Sequence, residues 1–419
     1  MYLFLLAISM VLALAFLRGL SAAVFSVSLP FLNIYFFGSG YNMGSVGLMT
    51  GISTFIGAIA RIPSGFLSDK VGTRRILLLG IVMRSFALLS VALLIHFSAH
   101  LIYFQIPLIL NSFGFSLIVT SSNTIISHLD EEKKPYVLSI VRVGINIGFS
   151  LGPILGGFVS EFSFSLLFFI SSLLSFLLIF CLIPLRKVDL ENFSKKSLSG
   201  EKDPRQLSEL KKSFIVEMFS PISDTFFIPF FVSLFFSFLV VSQFLNSFPV
   251  YASSIGFSNR EIGYFFTING LFVVLFQIPL VNFILRRMIK KKQDKLKAMC
   301  AGIILYFTAF NLFAVYKSFF WLAFCVIILT FGEIIFMTFS SIIVMDESPE
   351  KKKGLYLGFS EFVETVGWSV GKYFGGSMFD MFKNSPSEFW LFTSSPLFLA
   401  IIFSFIFYTK LVGEKNQIL

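Results

Sequence analysis

The chain has 419 residues, of which 56% are hydrophobic and only 13% charged, and its formal net charge is +10. A soluble domain carries roughly a quarter charged residues, so an ordinary water-soluble protein is excluded and a lipid-embedded one is indicated. The positive balance does not point to nucleic acid, because the bases fall in short segments between apolar runs, where membrane topology accounts for them.

In chain order, apolar runs are expected at roughly 3–34, 44–64, 76–96, 101–127, 136–160, 164–185, 225–252, 260–284, 298–316, 319–345, 354–379 and 389–409. That makes an all-α membrane protein of twelve transmembrane helices, since barrel strands would alternate over about ten residues and these runs do not. The opening stretch MYLFLLAISMVLALAFLRG lacks a basic leading segment and a small-x-small cleavage site before Arg18. It reads as part of the first span rather than as a signal peptide. Most of the 33 Lys and Arg residues collect on one side, from Lys70, Arg74 and Arg75 through the 186–212 segment to Lys351–Lys353. Only Arg260, Lys317 and Lys383 fall on the other. This bias places both termini in the cytoplasm of a cell-membrane, multi-pass protein. The polar stretch 186–223, with SLSGEKDP at its centre, is expected to link a six-helix bundle at 1–185 to a second at 224–419.

The two halves repeat one another. At an offset of 216, Gly47 falls on Gly263, Ile62-Pro63 on Ile278-Pro279 and Arg74-Arg75 on Lys290-Lys291. At 219, Gly148, Gly152, Gly156 and Gly157 fall on Gly367, Gly371, Gly375 and Gly376. Duplicated six-helix halves joined by a polar linker are an architecture of alternating-access transporters, with the substrate site between the halves near the bilayer midplane.

Between spans two and three stands GFLSDKVGTRR, residues 65–75. Gly65 lets span two approach a neighbour, and Gly72 permits a turn that a Cβ would obstruct. Asp69 is suited to cap a facing helix N-terminus, with the start of span eleven near Gly354 as its expected partner, while Arg74 and Arg75 meet acids or lipid phosphates. A positively charged turn set by topology alone is the other reading, but topology does not require the acid. The equivalent of Asp69 in the second half is Leu285, so a lock here is asymmetric. Span five carries RVGINIGFSLGPILGG, residues 142–157, in which Gly144, Gly148, Gly152 and Gly156, with Gly157, form a stripe for close packing and Pro153 favours a bend.

Together, the twelve spans, the repeat and the 65–75 motif resemble the major facilitator superfamily, whose signature there has the form G-x-L-A-D-R-x-G-R-R. Gly65, Leu67, Asp69, Gly72, Arg74 and Arg75 match it; Ser68, Lys70 and Thr73 depart from it. The glycine-rich fifth span is similar to that of the drug–proton antiporters of this superfamily. The resemblance implies a secondary transporter working by alternating access, with residues 65–75 as its cytoplasmic gate. The basic residue that the family usually carries in its fourth helix, ahead of a Gly, is missing near Gly114, and Arg142 is a candidate substitute. Gly332-Glu333 in span ten also resembles the exporter branch, although Thr338 stands near an expected Pro.

Ionisable residues inside a span are functional candidates by default. Those of the first half are basic: Arg18, Arg84 and Arg142, with Arg61 nearer the edge. The second half has Glu333, Glu361, Glu364 and Lys372. Arg142 and Glu361 are equivalent at the 219 offset and are expected to face each other in one state. Glu364, Trp368 and Lys372 share a helix face at intervals of four. Glu333, Glu361 and Glu364 are proton-carrier candidates; the alternative for Glu333 is a structural carboxylate bonded to a neighbouring helix, and for Glu364 a structural pairing with Lys372 or outward snorkelling of Lys372. Arg18, Asn111, Arg142, Asn146, Gln243, Asn246 and Asn269 are substrate-cavity candidates, of which the uncharged ones serve equally well to bond helix to helix. Cys181, Cys300 and Cys325 lie in different spans without metal-type spacing, and His96 and His100 lack a third ligand, so no metal or cofactor is expected.

The expected function is therefore proton-coupled export of small organic or amphipathic compounds by a monomer, and not enzymatic catalysis. The alternatives are proton-coupled uptake of an anionic metabolite, held by Arg18 and Arg142, and a non-transporting sensor of the same fold.

Overall fold

The computed structural model describes residues 2–127, 129, 133–187 and 220–416, without the side chains of 2–9, 62, 63, 65, 66, 69, 70, 135, 186, 187, 351 and 414–416. It is helical throughout. In chain order the helices are α1 (Tyr2–Gly38), α2 (Met43–Val71), α3 (Thr73–His96), α4 (Gln105–Ser127), α5 (Lys134–Phe162) and α6 (Phe164–Leu177). These are followed by α7 (Ile228–Val241), α8 (Gln243–Ser254), α9 (Asn259–Arg287), α10 (Lys292–Leu312), α11 (Phe319–Glu347) and α12 (Lys353–Phe382). The last two are α13 (Pro386–Ser394) and α14 (Pro396–Asn416).

Among the described residues, eleven segments are long and apolar enough to cross a membrane, with α7 and α8 together forming one and α13 and α14 another. The remaining span is α12, whose length is 30 residues and whose apolar character is diluted by Glu361, Glu364 and Lys372. Spans seven and twelve, expected as single helices, are each interrupted. In span seven the break falls at Ser242, where the Gln243 amide donates to the carbonyls of Leu239 at 2.7 Å and Gly371 at 2.8 Å. A polar side chain thus satisfies backbone acceptors that lipid cannot.

By its contacts the chain divides into two compact units: Met1–Gly200 with Leu245–Gly270, and Glu201–Phe244 with Leu271–Leu419. The first unit has an aliphatic core drawn from α1, α3, α4, α5 and the end of span six, including Leu14, Leu17, Leu77, Ile81, Ile118, Val141 and Leu178. The second is aromatic. Phe227 packs on Phe231 at 5.5 Å and on Tyr356 at 4.8 Å, and Phe230 on Phe407 at 5.2 Å. Helix starts are capped as their sequences lead one to expect: the Asn42 side chain accepts from Ser45 N, Ser163 from Leu166 N and Ser318 from Trp321 N.

Candidate functional site

The glycine stripe of α5 lies on α1. A Cβ on Gly144 would sit 2.5 Å from the Ala15 carbonyl oxygen, one on Gly148 2.1 Å from that of Gly19, and one on Gly152 2.1 Å from Ser26 Oγ. Gly156 meets Val27 and Phe31 in the same way. Only glycine allows this approach, and it lets Ser26 Oγ donate to the Gly148 carbonyl at 3.2 Å. The other face of α5 takes the start of α9. Gly157 lies against Asn259 and Arg260, Pro153 against Gly263, and Ser150 against Gly270. At this end Arg260 pairs with Glu161 at 2.8 Å and covers the Phe158 ring at 4.3 Å. These contacts account for 245–270 belonging to the first unit.

The second unit builds the stripe again. Gly371 of α12 would bring a Cβ to 2.3 Å from Ser242 Oγ and 2.4 Å from the Leu239 carbonyl, and Gly367 meets Phe235 and Phe238 of α7. Ser26 with Gly152 and Ser242 with Gly371 are therefore the same contact at repeat-equivalent positions.

A further repeated contact has no periodic sequence signal. In the first unit Gly80 of α3 and Gly114 of α4 press together, each Cβ position falling within 3.0 Å of the other's carbonyl oxygen. In the second unit Gly302 of α10 and Gly332 of α11 do the same. One turn beyond Gly80 is Arg84, and one turn beyond Gly302 is Tyr306; next to Gly114 is Phe115, and next to Gly332 is Glu333. The same clasp thus presents Arg84 with Phe115 in one unit and Tyr306 with Glu333 in the other.

Arg84 is 1% exposed. Its guanidinium donates to Ser21 Oγ at 2.5 Å and to the Ser21 carbonyl at 3.2 Å, and stands 5.0 Å from the Phe115 ring centre. Phe115 in turn stacks on Phe25, whose edge meets Phe149. Tyr306 is fully buried between Phe310 and Phe336. Its hydroxyl has no hydrogen-bond partner, and both Glu333 and Glu364 lie within electrostatic reach of it. Sequence reasoning missed Tyr306, which is one aromatic among many. The interval of four from Gly302, matching that from Gly80 to Arg84, was the available signal.

The other candidates divide between those engaged in packing and those at a surface. The Arg18 guanidinium is taken up by α4, donating to the Val119 carbonyl at 3.3 Å, Ser122 Oγ at 3.0 Å and Asn123 Oδ1 at 3.1 Å. Gln243 is buried at the span-seven break, and the Asn246 carbonyl accepts from Asn33. Asn111 is half-buried, with its side-chain oxygen lacking a protein partner, while Asn146 and Asn269 are half-buried. Arg142 and Glu361 are exposed within their own units, Glu333 and Glu364 are half-buried, and Lys372 is 5% exposed. Among the described residues no three His, Cys, Asp or Glu side chains converge as a metal site.

In the 65–75 segment α2 ends at Val71, and Gly72 takes φ 104°, a conformation that disfavours any residue with a Cβ. Ser68 bonds Ser121 of α4 at 3.1 Å. Arg74 is half-buried and Arg75 exposed, while the side chains of Asp69 and Lys70 and the surroundings of Gly65 lie outside the described residues. The corresponding turn of the second half is organised differently. There Asp294, inside the first turn of α10, accepts from the backbone N–H groups of Lys290 and Lys291 at 3.0 and 2.9 Å. Lys292 and Lys295 reach Glu347 and Asp346 at the end of α11.

With this geometry in place, the match to known proteins is decisive for the family: the model of the Major Facilitator Superfamily fits residues 11–372. The chain belongs to the Major Facilitator Superfamily. It is 26% identical over 364 residues to the "Uncharacterized MFS-type transporter YqjV" of Bacillus subtilis (strain 168), covering 85% of this chain and 83% of that one. To the "Uncharacterized MFS-type transporter YttB" of the same organism it is 34% identical over 143 residues, about a third of either protein. Among solved structures it superposes on the nucleoside transporter NupG with a TM-score of 0.73 at 16% identity, covering 96% of this chain and 99% of that one. A POT family transporter in complex with 5-aminolevulinic acid gives 0.71 at 14%, covering 94% of each. At such identities the likeness shows the fold. The protein is a multi-pass membrane transporter of the superfamily.

Proposed function

We propose that this major facilitator protein exports small organic or amphipathic compounds in exchange for protons, its two six-helix halves rocking about the linker 186–223. The observation that carries the reading is a pair of half-buried acids within spans, Glu333 on α11 and Glu364 on α12. A carboxyl group half-buried in an apolar bundle is poised to exchange a proton between states. The acids of the second unit are matched by bases in the first, an asymmetry suited to alternating protonation. Apolar surface supports the substrate class: α7 and α12 line an open groove of about 450 Å³ walled by Phe231, Phe235, Phe359, Phe362 and Val366. The glycine stripes hold α5 on α1 and α12 on α7 in close contact, so that each half moves as one body. Gly72, Arg74 and Arg75, with Asp69, form the gate of this scheme on the cytoplasmic side, where the excess of bases puts the termini.

Uptake of an anionic metabolite is the second reading, and Arg84 is the observation in its favour, a buried cation bonded to Ser21 and a ring. Of the two bases expected to hold the anion, Arg18 has its guanidinium engaged by α4 and Arg142 is exposed.

The test is the purified protein in liposomes loaded with a pH dye, with lipophilic cations, neutral amphiphiles and organic acids added in turn. Export coupled to protons requires proton movement opposite to a cation or neutral amphiphile. Proton movement together with an organic acid supports uptake instead, and no flux with any class refutes both.

A further inference from the structure

In sequence, residues 245–270 belong to the second half, yet by their contacts they are part of the first unit. The segment is a hairpin made of most of α8 and the first part of α9. Asn33 of α1 donates to its Asn246 carbonyl at 3.4 Å, and α9 runs antiparallel to α5 on bare backbone. A Cβ on Gly157 would stand 2.6 Å from the Asn259 carbonyl oxygen, one on Gly263 2.5 Å from that of Pro153, and one on Gly270 2.6 Å from Ser150 Oγ. Thr267 Oγ1 adds a hydrogen bond to the Ser150 carbonyl at 3.1 Å. This seat extends along about 16 Å of α9. Its rim carries charge. Arg260 is one of only three bases on the base-poor side of the chain, so topology does not ask for it. Glu161, in the last turn of α5, uses both oxygens on it: Oε2 pairs with the guanidinium at 2.8 Å, and Oε1 accepts from the Arg260 backbone N–H at 3.2 Å. The second bond satisfies a donor that the first turn of a helix leaves without an intrahelical acceptor. Phe158, one turn back on α5, lies under the guanidinium at 4.3 Å and meets Tyr264, one turn further along α9, edge-on at 6.3 Å. An acid and a ring of one helix thus close on a base and a ring of the other.

Both charged side chains keep partial contact with water, Arg260 at 41% and Glu161 at 27% exposed. A pair at such a rim parts at little cost, whereas a fully buried one does not. At the 219 offset Glu161 falls on Asp380, and at the 216 offset Arg260 falls on Gly44. The repeat keeps the acid and lacks the base, so the charged pair belongs to one of the two equivalent places alone. We propose that Glu161 and Phe158 with Arg260 and Tyr264 form an outer latch, closed in this state, that parts before the transport path opens on the base-poor side. The proposal rests on the alternating-access reading and names a contact that holds one of its two states. When the latch parts, the hairpin leaves α5 with the half to which it belongs in sequence. The Arg260 N–H and the Glu161 carboxylate then turn to water, and the glycine seat is wetted down to Ser150.

The test reads the seat from outside and needs no substrate. Ser150→Cys is introduced into the full-length protein, and intact cells producing it are exposed to a membrane-impermeant maleimide. The signal of protein without the substitution, which contains Cys181, Cys300 and Cys325, is subtracted. Adding Glu161→Gln or Arg260→Gln is expected to raise the labelling rate of the introduced thiol about threefold, the change that losing a partly exposed ion pair allows. Phe158→Leu keeps the charges and loses the ring, and is expected to act in the same direction to a smaller extent. Glu388→Gln removes an exposed acid of α13 and is expected to leave the rate unchanged. Rates for Glu161→Gln and Arg260→Gln equal to that of Ser150→Cys alone overturn the latch, and so does an equal rise with Glu388→Gln. A thiol that no variant exposes from outside, although it reacts once the protein is denatured, overturns the alternating-access reading on this side instead.

Discussion

Replacing Gly148 by Ala puts a methyl carbon 2.1 Å from the Gly19 carbonyl oxygen and 2.9 Å from Ala23 N. Carbon and oxygen approach to about 3.3 Å even in favourable contacts, so α1 and α5 must part by roughly 1.2 Å at that level. Parting there loosens Gly144 on Ala15 and Gly152 on Ser26, because all three glycines lie on one face. Overpacking of this kind costs about 1–3 kcal/mol, and loss of the Ser26–Gly148 hydrogen bond adds about 0.6 kcal/mol in a membrane bundle. The expected destabilisation is about 2–3.5 kcal/mol, seen as a fall in Tm of roughly 4–14 °C for a unit of this size. Thermal unfolding of the detergent-solubilised protein reads it directly. Gly358→Ala is the control: nothing lies within 4 Å of its Cβ position, and better helix propensity should raise stability by up to about 1 kcal/mol. Equal melting of Gly148→Ala and wild type would refute the packing argument, and so would an equal fall in the control.

Two further outcomes follow from charges held by few partners. Ser21→Ala removes the hydroxyl acceptor at Arg84 and keeps the carbonyl one, and hydrogen bonds to charged groups are worth about 1.5–3 kcal/mol; a melting loss of that order is expected, and recovery is expected when Arg84→Met is added. For Glu161 and Arg260, a double-mutant cycle on thermal stability should give a coupling of about 0.2–1 kcal/mol, since both side chains are partly exposed; adding Phe158→Ala should lower it through the lost cation–ring contact.

Much of the fold was legible because membrane spans announce themselves by length, and the glycine stripe of span five because glycines every four residues share a face. Its partner face, Ala15, Gly19 and Ala23 on α1, went unread, because small residues at that interval are diluted in a uniformly apolar span. Single glycines carry no period, which is why the pairs Gly80–Gly114 and Gly302–Gly332 emerge only when the helices are assembled. Arg18 shows the opposite limit. From the sequence it was an ionisable group in a span, and only the nearness of Ser122 and Asn123 on α4 reveals that its guanidinium is bonded to a neighbouring helix. The break in span seven was hidden because Ser242 and Gln243 are compatible with a continuous helix until the Gly371 carbonyl is brought up to the amide. The two helices that gave the clearest repeat, α5 and α12, pack by it on α1 and α7.

Proton coupling through the second-unit carboxylates is tested most directly by Glu333→Gln in liposomes, with one transported compound measured in two modes. On the proposed coupling, a neutral glutamine removes proton exchange and leaves the proposed apolar binding surface. Exchange of labelled for unlabelled compound should therefore persist within about threefold of wild type, while flux driven by a pH gradient alone should fall at least tenfold, a change of about 1.4 kcal/mol or more. Gradient-driven flux at the wild-type rate in Glu333→Gln, and again in Glu364→Gln, would contradict carboxylate coupling in this transporter.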